Sequence, residues 1–159
     1  MDAWSVLHAP AMRSIAIFGV VLMAIFVVWL YSAQSIFAAY FGLWQPASFD
    51  EFTQRVLTTD AGWILIVAGN LVGFLFAAFV LAITVVSFPM MLDRNVGPVI
   101  AVLTSLKVTI RNPVTVGLWG FIIASALAIG AIPFLLGLAF VMPMLGHASW
   151  HLYRKCVER

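Results

Sequence analysis

The sequence predicts an all-α, polytopic membrane protein with four transmembrane helices in two hairpins and short amphipathic helices at the membrane interface. Three observations carry this. Of 159 residues, 64% are hydrophobic and only 9% charged, far below the roughly 25% charged residues of a soluble domain, so lipid must be the solvent for most of the chain. The apolar runs reach the ~20 residues that a bilayer crossing needs. Polar, glycine and proline clusters divide those runs at Gly42 to Asp60, at Pro89 to Pro113 and at Gly130 to Pro133. The formal charge of +2 is small and dispersed, which argues against nucleic acid as a partner. Cys156 is the only cysteine, so no internal disulfide forms.

The whole chain, 1–159, reads as one membrane domain. Asp2 to Met12 is short and mildly amphipathic, with Pro10 against a helix and Trp4 suited to the headgroup layer. The first span covers about 14–41. It is longer than a signal-peptide core, and Tyr31 is too bulky for the −3 position of a cut at Ala33, so it is expected to stay as a helix. Gly42 and Pro46 end it. Ser48 and Glu51 then make an S-x-x-E capping box, which satisfies free N–H groups at a helix start. Phe49, Phe52 and Val56 share one face, predicting an interfacial helix over about 48–58. Thr59 or Asp60 caps the second span, about 61–87, with Trp63 at its interface. Pro89 ends or kinks that helix.

In the connector, Val99, Val102, Leu103, Leu106 and Ile110 recur at helical spacing, with Thr104, Lys107 and Arg111 mostly on the other side. This predicts a second interfacial helix over about 98–111 with its apolar residues in the membrane surface. Asn112-Pro113 resets the chain for a third span, about 114–132. A tight turn follows, and the fourth span is about 133–153, with Pro133 at its first helical position.

The cations orient this arrangement. Arg13, Arg94, Lys107, Arg111, Arg154, Lys155 and Arg159 fall on one side. Arg55 alone falls on the other, beside Asp50, Glu51 and Asp60. The positive-inside rule makes the richer side cytoplasmic, with both termini there. Ser87-Phe88-Pro89-Met90-Met91-Leu92 and Val141-Met142-Pro143-Met144-Leu145 echo one another late in the second and fourth spans, the pattern of tandem hairpins seen in some transport proteins.

Several constellations are candidates for function. Gly69-x-x-x-Gly73 lets another backbone approach closely, and Asn70 lies deep in the same span. Asn70 is expected to hydrogen-bond Ser125 of the third span, or Gln34, as helix glue worth about 0.6–2 kcal/mol. No Asp, Glu, Lys or Arg lies within a span, which argues against coupled ion transport. His147 and His151, four apart on one helix face, are candidate metal ligands, with His8 on the same side. The bland reading is an interfacial cluster with Trp150 and Tyr153. Asp93, Arg94, Arg111 and Arg154 form a candidate cytoplasmic-face cluster in which Asp93 pairs with Arg111 or Arg154. Met90, Met91, Met142 and Met144 read as packing filler. There is no catalytic triad, phosphate loop or carboxylate pair.

The blocks VVSFPMMLDRNVGPVIAVLTSLKVTIRNP and FVMPMLGHASWHLYR, with LWGFIIASALAIG between them, resemble a family of uncharacterised bacterial integral membrane proteins, domain of unknown function 2189. The resemblance implies the last four helices of a six-helix protein, hence a short member or a truncated product, and it brings no catalytic residue with it. Names of some relatives point towards respiratory oxidases. The expectation is a multi-pass protein of the bacterial inner membrane, without enzymatic activity, acting as an accessory or scaffold through helix packing. Its partners would be lipid and other membrane subunits or a second copy, and no cofactor is expected. The alternatives are a transporter-like component, or a metal- or haem-handling accessory protein of a respiratory complex.

Overall fold

The computed structural model describes residues 10–94 and 96–157. These form seven helices and no strand: α1 Pro10–Phe41, α2 Phe49–Thr58, α3 Asp60–Thr84, α4 Ser87–Arg94, α5 Pro98–Arg111, α6 Pro113–Ala131 and α7 Leu138–Val157. Trp4 and His8 lie outside the described residues. Three segments are long and apolar enough to cross a membrane: Met12–Phe41, Asp60–Arg94 and Pro113–Ala131. Large apolar side chains such as Val20, Phe74 and Phe121 stand exposed along them. A surface of this kind is stable only in an apolar solvent.

The chain forms two compact units, Val20–Ala77 and a second made of Met1–Gly19 with Ala78–Arg159. In the first, α1 ends at Gly42, whose φ of 61° is the left-handed conformation that suits glycine. Its N–H donates to the Ala38 carbonyl. The predicted cap of α2 is present with one shift. The Glu51 N–H donates to Ser48 Oγ at 3.1 Å, but Glu51 Oε2 accepts from the N–H of Ala47 rather than that of Ser48. Thr59 is the residue that caps α3, accepting from the Gly62 N–H. Gly62 itself sits against the Val56 backbone, where any Cβ would overlap it. That contact sets the corner between α2 and α3.

The second unit holds most of the buried core, including Phe18, Val85, Val86, Met90, Met91, Ala101, Val116 and Tyr153. Three boundaries differ most from the sequence expectation. The first helix takes in Pro10, expected to stand against a helix, as its first residue, a position where a proline's missing N–H costs nothing. The second span breaks at Val85-Val86, before Ser87. Pro89 explains the position: its ring displaces the carbonyl four residues earlier, that of Val85, and it has no N–H to give. The fourth helix begins at Leu138, not Pro133. Residues 132–137 are a turn in which Phe134 and Leu135 take positive φ, 48° and 67°, a conformation that costs roughly 1–2 kcal/mol per non-glycine residue. The reversal is tight because Gly130 meets Gly137, where a Cβ would lie 2.7 Å from the Gly130 carbonyl oxygen. Pro143, the echo of Pro89, is carried inside α7 without ending it.

Candidate functional site

The break between α3 and α4 is completed by a side chain from α5. In an unbroken helix the Val86 N–H would donate to the Ala82 carbonyl. Here the Ser105 hydroxyl stands between them, accepting from Val86 N at 3.3 Å and donating to the Ala82 oxygen at 2.7 Å. Thr109, one turn on, donates to the Ser105 carbonyl at 2.9 Å and approaches the same Ala82 oxygen at 3.4 Å. Ser105 and Ser87 are fully buried. The Ser87 hydroxyl folds back onto the Ile83 carbonyl. Proline breaks persist in apolar surroundings when neighbouring Ser or Thr side chains satisfy the freed backbone groups in this way.

The face of α5 that packs is therefore the small, polar stripe of Ala101, Ser105 and Thr109. Val99, Leu103 and Ile110, expected to lie in the membrane surface, stand 70%, 61% and 77% exposed and so are open to lipid. Where lipid is the solvent, apolar side chains gain nothing by leaving it, and small residues make the helix contacts. The spacing A-x-x-x-S-x-x-x-T was the available signal, and the periodicity of larger apolar residues hid it.

Asp93 makes a second tie. Its Oδ2 accepts from the Tyr153 hydroxyl at 2.7 Å, joining the end of α4 to α7 across 60 residues of sequence. Tyr153 lies outside the three apolar segments and is buried. The neighbouring Arg94 lies 3.8 Å from Asp93. Arg111, one of the two partners expected for Asp93, instead lines a cavity of about 610 Å³ with Lys107 and Lys155. Arg154 follows Tyr153 and is exposed. Of the candidate cluster, Asp93 is thus tied to Tyr153 beside Arg94, and Arg111 lines the cavity.

In the other unit, Gly69, Asn70 and Gly73 line an open groove of about 420 Å³ with Trp29, Leu65, Ile66, Phe74 and Ala77. Gly73 admits Trp29, whose Nε1 is 3.8 Å from the position of a Cβ, whereas Gly69 faces open space. Asn70 is exposed, and its amide nitrogen donates to the Ile66 carbonyl of its own helix at 2.7 Å. Within its unit this local bond takes the place of the expected one to Gln34. Ser125 is half-buried on α6. A further feature was missed entirely: the Arg55 guanidinium sits 4.4 Å above the Trp44 ring, which stacks on Phe52 at 6.5 Å.

His147 and His151 lie one turn apart on α7, both exposed. His147 Nδ1 is 2.9 Å from the Pro143 carbonyl. A carbonyl only accepts, so Nδ1 carries the proton and Nε2 is left as the ligating nitrogen. Among the described residues no group of three His, Cys, Asp or Glu side chains is placed to hold a metal ion.

Apolar helices with exposed hydrophobic faces, small-residue contacts and polar groups closed onto helix backbones define a helical integral membrane protein. The chain belongs to the predicted integral membrane protein family called domain of unknown function 2189, which it matches over residues 1–93. That match takes in α1 to α3 and all of α4 but its last residue, and it stops before α5 and the GHASWHLYR block. No curated protein and no solved structure matches the chain.

Proposed function

We infer that this protein is a non-enzymatic accessory or scaffold subunit of the bacterial inner membrane, acting through helix packing. The observation that carries the reading is Asn70. It stands exposed in the middle of a span, beside a glycine that opens onto nothing. Among the described residues it makes one hydrogen bond, through one amide N–H. Its second N–H and its carbonyl oxygen are left for a helix from another subunit, and Gly69 lets that backbone come near. In this reading the chain crosses four times with both termini in the cytoplasm. The part of α7 that precedes Arg154 and Lys155, Leu138 to Tyr153, extends ~24 Å at ~1.5 Å each, and the apolar turn of residues 132–137 before it would complete the fourth crossing.

The test is crosslinking in native membranes followed by purification in mild detergent. The expected result is a stoichiometric partner, or a second copy, that is lost from Asn70→Leu and from Gly69→Leu. Recovery of the chain alone from crosslinked membranes overturns the reading.

A further inference from the structure

The cavity of about 610 Å³ between α5, the start of α6 and the end of α7 has a lining unlike the rest of the molecule. Lys107 and Arg111 enter it from successive turns of α5, and Lys155 from α7. Thr104, Asn112 and Thr115 add hydroxyl and amide groups. Val85, Val86, Val108, Val116 and Leu152 form its apolar part. No carboxylate lines it among the described residues, and none of its three cations is paired with one there. Three cations at one cavity, with no carboxylate in its described lining, favour an anion there.

We propose that this cavity binds the phosphodiester headgroup of an anionic phospholipid. The anion chemistry follows from Lys107 and Arg111 on α5 and Lys155 on α7, which supply charge and hydrogen-bond donors from two helices. The lipid source follows from position. Asn112, Thr115 and Val116 belong to the cap and first turn of Pro113–Ala131, one of the three membrane-crossing segments, so the cavity sits at headgroup depth. Beside it, Val114 and Leu118 on α6 and Ile110 on α5 are exposed apolar surface. An amphiphile satisfies both parts at once, its phosphate among the cations and its acyl chains along α5 and α6. Basic pockets between helices at the membrane surface take anionic headgroups for this reason. This site is independent of the Asn70 groove and of the scaffold reading.

Cys156 lines the same cavity, is half-buried, and is the only cysteine of the chain, so it reports occupancy directly. The experiment uses the full chain in a zwitterionic detergent, titrated with phosphatidylglycerol, phosphatidylcholine or inorganic phosphate. Maleimide labelling of Cys156 and the thermal midpoint are followed together. Phosphatidylglycerol is expected to slow labelling and raise the midpoint, phosphatidylcholine and inorganic phosphate to do neither. Lys107→Gln, Arg111→Gln and Lys155→Gln are each expected to weaken phosphatidylglycerol binding about fivefold, from ~1 kcal/mol per cation. Arg13→Gln is expected to leave it unchanged. Equal protection by phosphatidylcholine, or phosphatidylglycerol binding that survives all three substitutions together, overturns the site. Equal protection by inorganic phosphate overturns the lipid and assigns the cavity to a small soluble anion. If the triple variant does not fold, Cys156 protection in the unaltered chain decides the matter alone.

Discussion

Ser105 and Asn70 are both polar side chains on helices in apolar surroundings, and the two units use them in opposite ways. Ser105 is fully buried and reaches into the backbone of another helix, completing a hydrogen-bond ladder that Pro89 disrupts. Asn70 is exposed and bonds only the carbonyl four residues before it. The first arrangement consumes the side chain's hydrogen-bonding capacity inside the molecule. The second leaves most of it outward. A polar residue in a membrane helix is thus internal structure or an invitation to a partner, according to whether a broken backbone lies within its reach.

The strongest way to break this contrast is Ser105→Ala. It leaves the buried Val86 N–H without an acceptor, at about 1–3 kcal/mol, while the Thr109 hydroxyl still approaches the Ala82 oxygen at 3.4 Å. A loss of about 1–3 kcal/mol in detergent unfolding is expected. A loss within measurement error would mean that α3 and α4 simply rejoin as one helix, and the contrast would fail. Tyr153→Phe removes the Asp93 tie. The carboxylate is 41% exposed and water replaces part of the bond, so about 1 kcal/mol is expected in the same measurement. No change would show that α4 and α7 are held by packing alone.

Two smaller effects sharpen the other side. Arg55→Ala strips the cation from the Trp44 ring and should cost about 0.5–1 kcal/mol, with a shift in tryptophan fluorescence. An unchanged spectrum would remove that contact from the account. Asn70→Leu should change the stability of the isolated chain by less than about 0.5 kcal/mol, as exposed substitutions do, while abolishing recovery of the crosslinked partner. A large loss of stability in the isolated chain would place Asn70 with Ser105 as internal structure.

Some of this was readable one residue at a time. Composition alone makes lipid the solvent. The Gly42 stop, the Ser48–Glu51 cap and the effect of Pro89 depend on groups within about four residues of one another, and the sequence carries them. The pairing of Asn70 did not follow, because its own helix supplied a carbonyl at 2.7 Å before any neighbour was needed. The start of α7 did not follow either. Pro133 is permitted at a first helical position, but the meeting of Gly130 and Gly137 draws it into the turn.

What the sequence by itself determined is the membrane class, the order of the helices and most of their ends, all of which rest on local hydrogen bonding and on apolar content. Only the tertiary structure decided which face of α5 packs, that Ser105 bridges the broken helix, and that Lys107, Arg111 and Lys155 share one cavity. The physical reason is that hydropathy loses its directing force in lipid, where an apolar face is equally at home against tails or protein. Packing is then settled by close approach of small residues and by which backbone groups need a partner, and those needs are met across 19 and 23 residues of sequence.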